Sequence, residues 1–291
     1  MRTGSTISIL ICVASLGLVI HASSRSALNA RLDDLTVSVV ESLKRLPDVV
    51  DVEVKVRVEK PTHRIVHLRD WHFINRDAFG VDAQNSSENE LTEEEISHHY
   101  GHFLLQVDAI QTEQLAILRR LIKDHGLKRI FVEGLSADEM PNYLERVAIF
   151  RDLEQNQIPK LRKQLDEARA LKAKDIEQQA MEMLDEQGVR LLHIGAAGRL
   201  LVAGEIDEVL PLEDSVLHEQ ADPITGNKIN FNMDKVKARE DAQVKAVLDK
   251  GPFGLVILGG SHDLSDSVRR LTQGRCEYIQ VTTKRFKEFG E

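Results

Sequence analysis

The chain predicts an α/β fold: a mostly parallel central sheet with helices on both faces, plus a long helical arm or hairpin inserted at about residues 137–187. Three observations predict it. Short apolar runs bounded by turn residues alternate with segments of helical spacing, the pattern of a sheet covered on both sides. Several runs end directly in glycine or charged residues, as strands do at the edge where α/β proteins place ligands. Residues 154–187 are dense in Glu, Gln, Lys, Arg and Ala with sparse apolar positions, the pattern of an exposed helical arm.

The elements follow in order. Residues 7–20 are almost wholly apolar, preceded by Arg2 and followed by His21-Ala22-Ser23-Ser24. This is the pattern of an export signal over residues 1–22, either cleaved after Ala22 or retained as an anchor. The protein is therefore expected to be exported, periplasmic or secreted, with membrane contact only through that N-terminus. A single domain is expected over 32–291. Residues 32–46 have helical spacing closed by Pro47. Val50, Val52, Val54, Val56 and Val58 alternate with charged residues, which predicts a half-solvated strand at an edge or in an antiparallel pair. A strand over 64–68 follows, then a loop over 73–90. Thr92 and Glu95 form a capping box that opens a helix running to about Lys123, stopped by His125-Gly126. Further strands are predicted at 129–132, 189–194, 255–258 and 277–281. Helices are predicted at 136–153, 233–248 and 264–272.

Composition narrows the function. A net charge of −9 gives no general attraction to nucleic acid or anionic lipid. The two cysteines are Cys12 and Cys276, and Cys12 lies within the signal, so no disulfide framework or Cys-based zinc site follows. Cys276 reads as a small buried hydrophobe.

The chemistry gathers at strand ends. Leu255-Val256-Ile257-Leu258 runs into Gly259-Gly260-Ser261-His262-Asp263, where glycines leave room beside a histidine. The 64–68 strand runs into Arg69-Asp70-Trp71-His72, and on extended chain Asp70 and His72 face one side. His67, inside that strand, reads as core. Ile130-Phe131-Val132 runs into Glu133-Gly134, a carboxylate costly to bury without a partner. Arg199, after Gly195-Ala196-Ala197-Gly198, is placed to clamp a carboxylate or steady an oxyanion. His98, Tyr100 and His102 form a further cluster on a helix, but HExxH is absent, and Gly101 weakens the helix.

In this order the motifs resemble the superfamily of erythromycin esterases, ChaN haem-binding proteins and TraB/Tiki proteins. Its members carry Gly-Glu-x-His after an early strand, a Glu-Gly-like pair after a later one and Gly-x-x-His near the C-terminus. The resemblance spans residues 64–281; here Arg69 replaces the first glycine and Asp70 the glutamate. It implies an α/β fold with a site built from Asp70, His72, Glu133 and His262, and a hydrolase acting on a small-molecule or peptide substrate. In one version a carboxylate–histidine pair, Asp70 with His72 or Glu133 with His262, activates water against an ester or amide while Arg199 steadies the oxyanion. In another, His72, Glu133 and His262 hold a divalent metal. The alternatives are a haem- or cofactor-binding protein without turnover, with Tyr100, His98 and His102 as axial candidates, and a structural protein that works through the helical arm.

Overall fold

The computed structural model describes residues 39–87, 90–221, 224–225, 228–229 and 232–290, so the expected signal at 1–22 lies outside the described residues. Residues 39–44 are helical. There follow β1 (Val49–Val56), β2 (His63–Asp70), α1 (Arg76–Ser86), α2 (Glu93–His125), β3 (Arg129–Ser136), α3 (Met140–Asp152) and a π-helical turn (Leu153–Gln157). Next come α4 (Ile158–Leu171), α5 (Lys174–Leu192), α6 (Gly195–Ala203), β4 (Glu208–Glu213), α7 (Ser215–Ala221), and the short pair β5 (Ile224–Thr225) and β6 (Lys228–Ile229). The chain ends with α8 (Met233–Asp249), β7 (Phe253–Gly259), α9 (Ser265–Thr272), β8 (Cys276–Thr283) and α10 (Lys284–Gly290).

The six-stranded sheet has the order β1-β8-β2-β7-β3-β4. All its pairs are parallel except β1 with β8. The valine alternation therefore marks an antiparallel edge strand, whose charged residues face water while Val52 and Val54 pack on the core. Alternate residues of the inner strands serve two cores. Val66, Leu68, Ile130, Leu255, Ile257, Ile279 and Val281 meet Leu118 and Leu121 of α2, Val147 of α3 and Leu200 of α6. Ile65, Phe131, Val256, Leu258 and Tyr278 meet Val244 and Val247 of α8 and Val268 of α9. Both faces are covered, so the strands read as continuous apolar runs.

Three predicted elements differ from what forms. Residues 189–194 are not a strand. They finish α5 and turn into α6, because Ala180, Leu184 and Leu191 fall on one helical stripe and packing overrides the modest β preference of Val and Ile. The sheet's sixth strand is instead β4, where Pro211 is tolerated because β4 is an edge. Residues 73–90 are not mainly a loop. Asn75 caps α1, its side chain accepting from the Ala78 amide. The arm is a helical hairpin of α4 and α5, as its composition suggested. The interruption expected near Pro159 is the π-helical turn Leu153–Gln157 just before it, next to a residue with no N–H to give, and the hairpin itself reverses at Lys172 (φ 55°) and Ala173. Among the described residues, no helix is long and apolar enough to cross a membrane.

Candidate functional site

Adjacent strands β2, β7 and β3 all deliver their C-terminal ends to one edge of the sheet. His72 lies just past β2, Glu133 lies in the last part of β3, and His262 follows the Gly259-Gly260 exit of β7. The sheet thus brings together residues nearly two hundred positions apart in the chain.

Glu133 is the centre of the arrangement. Its side chain is 7% exposed. Oε2 accepts from His72 Nε2 at 3.0 Å and from the Gly259 amide at 2.5 Å. Oε1 accepts from Arg239 at 2.6 Å and from His262 Nε2 at 3.1 Å. A carboxylate has about four acceptor positions, and N–H groups engage all of them here. Burial pushes the Glu133 carboxyl up, but the hydrogen bonds and charges of His262 and His72 outweigh it and hold it well below the usual carboxylate range.

The two imidazoles differ. His262 is mostly buried, with Nε2 on Glu133 and Nδ1 3.4 Å from Glu240. Two carboxylate acceptors require both ring nitrogens to carry protons. Burial lowers its pKa, but the hydrogen bonds to Glu133 and Glu240 and the Glu133 charge raise it to about 9. His72 is 49% exposed and gives only Nε2–H to Glu133. In its neutral form, therefore, Nδ1 carries the lone pair. Burial lowers the His72 pKa, and the Glu133 hydrogen bond with the charges of Glu133 and Asp70 raises it above the ordinary value.

Asp70 is near enough to act electrostatically on His72, but its hydrogen-bond partner is Gln114, whose Nε2 donates to Oδ1 at 2.7 Å. Burial raises the Asp70 pKa. The expected pairing of Asp70 with His72 is thus replaced by Glu133 with His72. His67 is core, as expected: Nε2–H donates to the Leu258 carbonyl at 2.8 Å and Nδ1 accepts from the Tyr278 hydroxyl at 2.7 Å. Burial pushes its pKa down to about 4, so it is neutral. Cys276 is buried and its thiol is pushed up to about 12 by burial.

Arg199 is not part of this cluster. The turn expected to present it is instead the first part of α6, and its guanidinium pairs with Asp108 of α2 at 3.3 Å. The oxyanion role assigned to it is withdrawn. The cation at the site is Arg239 of α8, which bridges Glu133 and the buried Glu213 at 2.7 Å. Gln243 also donates to Glu213, at 2.9 Å. None of Arg239, Glu240, Gln243 and Glu213 was singled out from the sequence. A signal existed: Arg239 and Gln243 share a helical stripe with Val236 and Val247, placing polar groups where α8 faces the sheet. Glu213 also follows an apolar run on a strand, as Glu133 does.

The glycines at the exit of β7 provide space rather than unusual backbone angles, since neither Gly259 nor Gly260 has positive φ. A Cβ on Gly259 would stand 2.5 Å from His72 Nε2 and 3.2 Å from Glu133 Oε2. Gly259→Ala is therefore expected to displace the His72 ring while leaving the sheet paired. The NMR signals of the His72 ring, with circular dichroism as the folding control, check this; wild-type shifts would show that the contact does not matter.

The donor set does not fit a metal. A cation between His72 and His262 would need lone pairs on both Nε2 atoms and on Glu133. Those nitrogens donate to Glu133 instead, and a guanidinium occupies its Oε1. Among the described residues, no group of three or more His, Cys, Asp or Glu side chains is placed to hold a metal ion. The haem candidates lie on the N-terminal half of α2. The Tyr100 hydroxyl donates to the Ile74 carbonyl at 3.3 Å, and its ring packs with Phe79 and Phe103. The His98 and His102 rings meet edge-on at 4.6 Å.

The raised pKa of His262 ties stability to pH. A histidine whose folded pKa exceeds its unfolded value contributes stability fully present below the unfolded value, 6.5, and lost as pH rises through about 9. Denaturant midpoints are expected to fall across that window. A flat midpoint would show that His262 is not held between carboxylates.

Fold and cluster together define an α/β protein with a histidine–carboxylate site at the C-terminal edge of its parallel sheet. Comparison of the chain with protein-family models, with curated proteins and with solved structures finds no significant match in any of the three.

Proposed function

We propose that this chain is an exported hydrolase of the erythromycin esterase, ChaN and TraB/Tiki type that cleaves an ester or amide without a bound metal. The observation that carries the reading is Glu133 holding His72 and His262 from its two oxygens at a strand-end edge. Glu133 fixes the His72 tautomer, and Nδ1, the ring nitrogen not bonded to Glu133, takes a proton from water. That water attacks the carbonyl carbon. The protonated His72 then returns its proton to the departing alkoxide or amine as the carbonyl–heteroatom bond breaks. His262, protonated and bound to two carboxylates, has no lone pair with which to act as base; it positions Glu133. Arg239 and Glu213 keep the buried carboxylate ionised and immobile. The order and strand context of the motifs around His72, Glu133 and His262 support the superfamily assignment, and the apolar segment at 7–20 supports export.

The test is turnover of a panel of simple esters and peptide amides by the signal-free protein after chelation of metals. Hydrolysis that survives chelation and vanishes in His72→Gln is expected. No hydrolysis of any panel member, or full loss on chelation, would overturn the reading.

A further inference from the structure

His67 shares its face of the sheet with two further polar side chains. Gln280 of β8 stands opposite His67 of β2 in the strand register, and Tyr278 lies two residues before Gln280 on the same side. Ile65, Val256 and Leu258, their strand neighbours on that face, are apolar. His67 and Tyr278 are fully buried, and Gln280 is 8% exposed. Buried polar groups are costly unless they are bonded, and apolar residues of similar size fill such places without that cost. The hydrogen bonds of these three side chains run to one another and to backbone groups of one short segment, residues 258–264.

The donors along this path are fixed in direction. His67 Nε2–H donates to the Leu258 carbonyl at 2.8 Å, so in the neutral ring Nδ1 holds the lone pair. The Tyr278 hydroxyl donates to that nitrogen at 2.7 Å. With its proton committed, the Tyr278 oxygen is left to accept, and the Leu264 N–H reaches it at 3.5 Å. Gln280 Nε2 donates to the His262 carbonyl at 3.3 Å and lies 3.5 Å from His67 Nδ1. The segment that leaves β7 is thus held at Leu258, His262 and Leu264 from a single face. β2 secures the start of the turn separately. There the Gly260 amide donates to the Asp70 carbonyl at 3.0 Å, and Arg69 donates to the Gly260 carbonyl at 2.9 Å. The far part of the turn, which carries His262, depends on Gln280 and Tyr278.

We infer that Gln280 and Tyr278, with His67 behind them, are positioning residues that set the His262 ring between its two carboxylates. Their leverage comes from distance. His262 Nε2 lies 3.1 Å from Glu133, and Nδ1 lies 3.4 Å from Glu240. Hydrogen bonds to nitrogen weaken past about 3.2 Å, so a small drift of the turn releases Glu240 first and then Glu133. The titratable and charged groups that act on the ring are Glu133 of β3, Glu240 and Arg239 of α8, and His67 and His72 at β2. The two carboxylates favour its proton, so a ring that drifts from them holds that proton less tightly. The inference concerns the architecture of the site and needs no turnover; only its activity readout rests on the hydrolase reading above.

The test compares wild type with Gln280→Met and Tyr278→Phe. Methionine keeps the length of the side chain but cannot donate, and phenylalanine removes only the hydroxyl. Glu133, Glu240 and His72 stay in place in both. The readout is a pH titration of the His262 ring nitrogens by NMR. In each variant the His262 pKa is expected to fall from about 9 by at least about one pH unit, a tenfold loss of proton affinity. Val147→Ala, in the core on the other face of the sheet, controls for general loss of stability and is expected to leave His262 at about 9. Gln280→Met decides alone if Tyr278→Phe does not fold. An unmoved His262 in Gln280→Met, or an equal movement in Val147→Ala, would overturn the inference. Turnover separates the inference from the hydrolase reading. If the protein is a hydrolase, the alkaline fall of kcat/KM is expected to move to lower pH together with His262. A displaced His262 titration in a protein that hydrolyses nothing removes the hydrolase and leaves the positioning role. Hydrolysis with His262 unmoved in Gln280→Met removes the positioning role and leaves the hydrolase.

Discussion

Glu133→Gln is expected to lose both activity and stability. Glutamine keeps the shape of the side chain but removes the charge, and it presents an amide donor to a pocket that holds only donors. Arg239, His262, His72 and the Gly259 amide all point N–H groups at this carboxylate. Whichever way the amide turns, two of them meet another N–H. Breaking a buried ion pair from one side costs about 3–5 kcal/mol, because the remaining charge stays buried. Arg239 keeps its bonds to Glu213, so the lower end of that range is expected. Denaturant unfolding measures it. Activity is expected to fall by roughly 10²–10⁴, the usual contribution of a positioned base, since His72 loses its tautomer and its anchor together. A stable, active Glu133→Gln protein would contradict the site as described.

His72→Gln separates chemistry from architecture. Its side chain is half exposed and gives one bond to Glu133, so the fold is expected to lose no more than about 1 kcal/mol. The rate of hydrolysis is expected to fall by roughly 10²–10⁴. The pH dependence carries the sign of the mechanism. A base works deprotonated, and the His72 pKa is raised, so kcat/KM in wild type is expected to climb with pH until a point above 6.5. It is expected to fall again near 9, as His262 loses the proton that binds it to Glu133 and Glu240. In His72→Gln the acid limb disappears. A wild-type profile that declines as pH rises through 6.5 would exclude His72 as the base.

The contrast between these two residues explains what the chain discloses before it folds. Glu133, His72 and His262 were legible because each follows an apolar run, and a polar group at a strand end is a local feature. The valines of β1 were legible for the same reason: an alternating surface needs no partner to be recognised. Arg239, Glu240 and Gln243 were hidden because a charged residue on a helix looks solvated until the helix is placed against a sheet. α1 was hidden because it buries nothing and so shows no apolar period; Asn75 as a cap was its one signal. The strand expected at 189–194 illustrates the opposite error. Its apolar residues are few enough to suit either period, and the length of α5 decided the matter. Arg199 was misplaced with it, because its proposed role depended on a strand end that α6 replaces.

The most direct test of the central claim, that one buried carboxylate holds both imidazoles, is a pH titration of the histidine ring nitrogens by NMR, in wild type and in Glu133→Gln. In wild type, His262 is expected to titrate at about 9 and His72 above 6.5, each with Nε2 protonated throughout. In Glu133→Gln both are expected to move down toward the ordinary histidine value. Two rings that titrate near 6.5 in wild type and do not respond to the substitution would contradict the account.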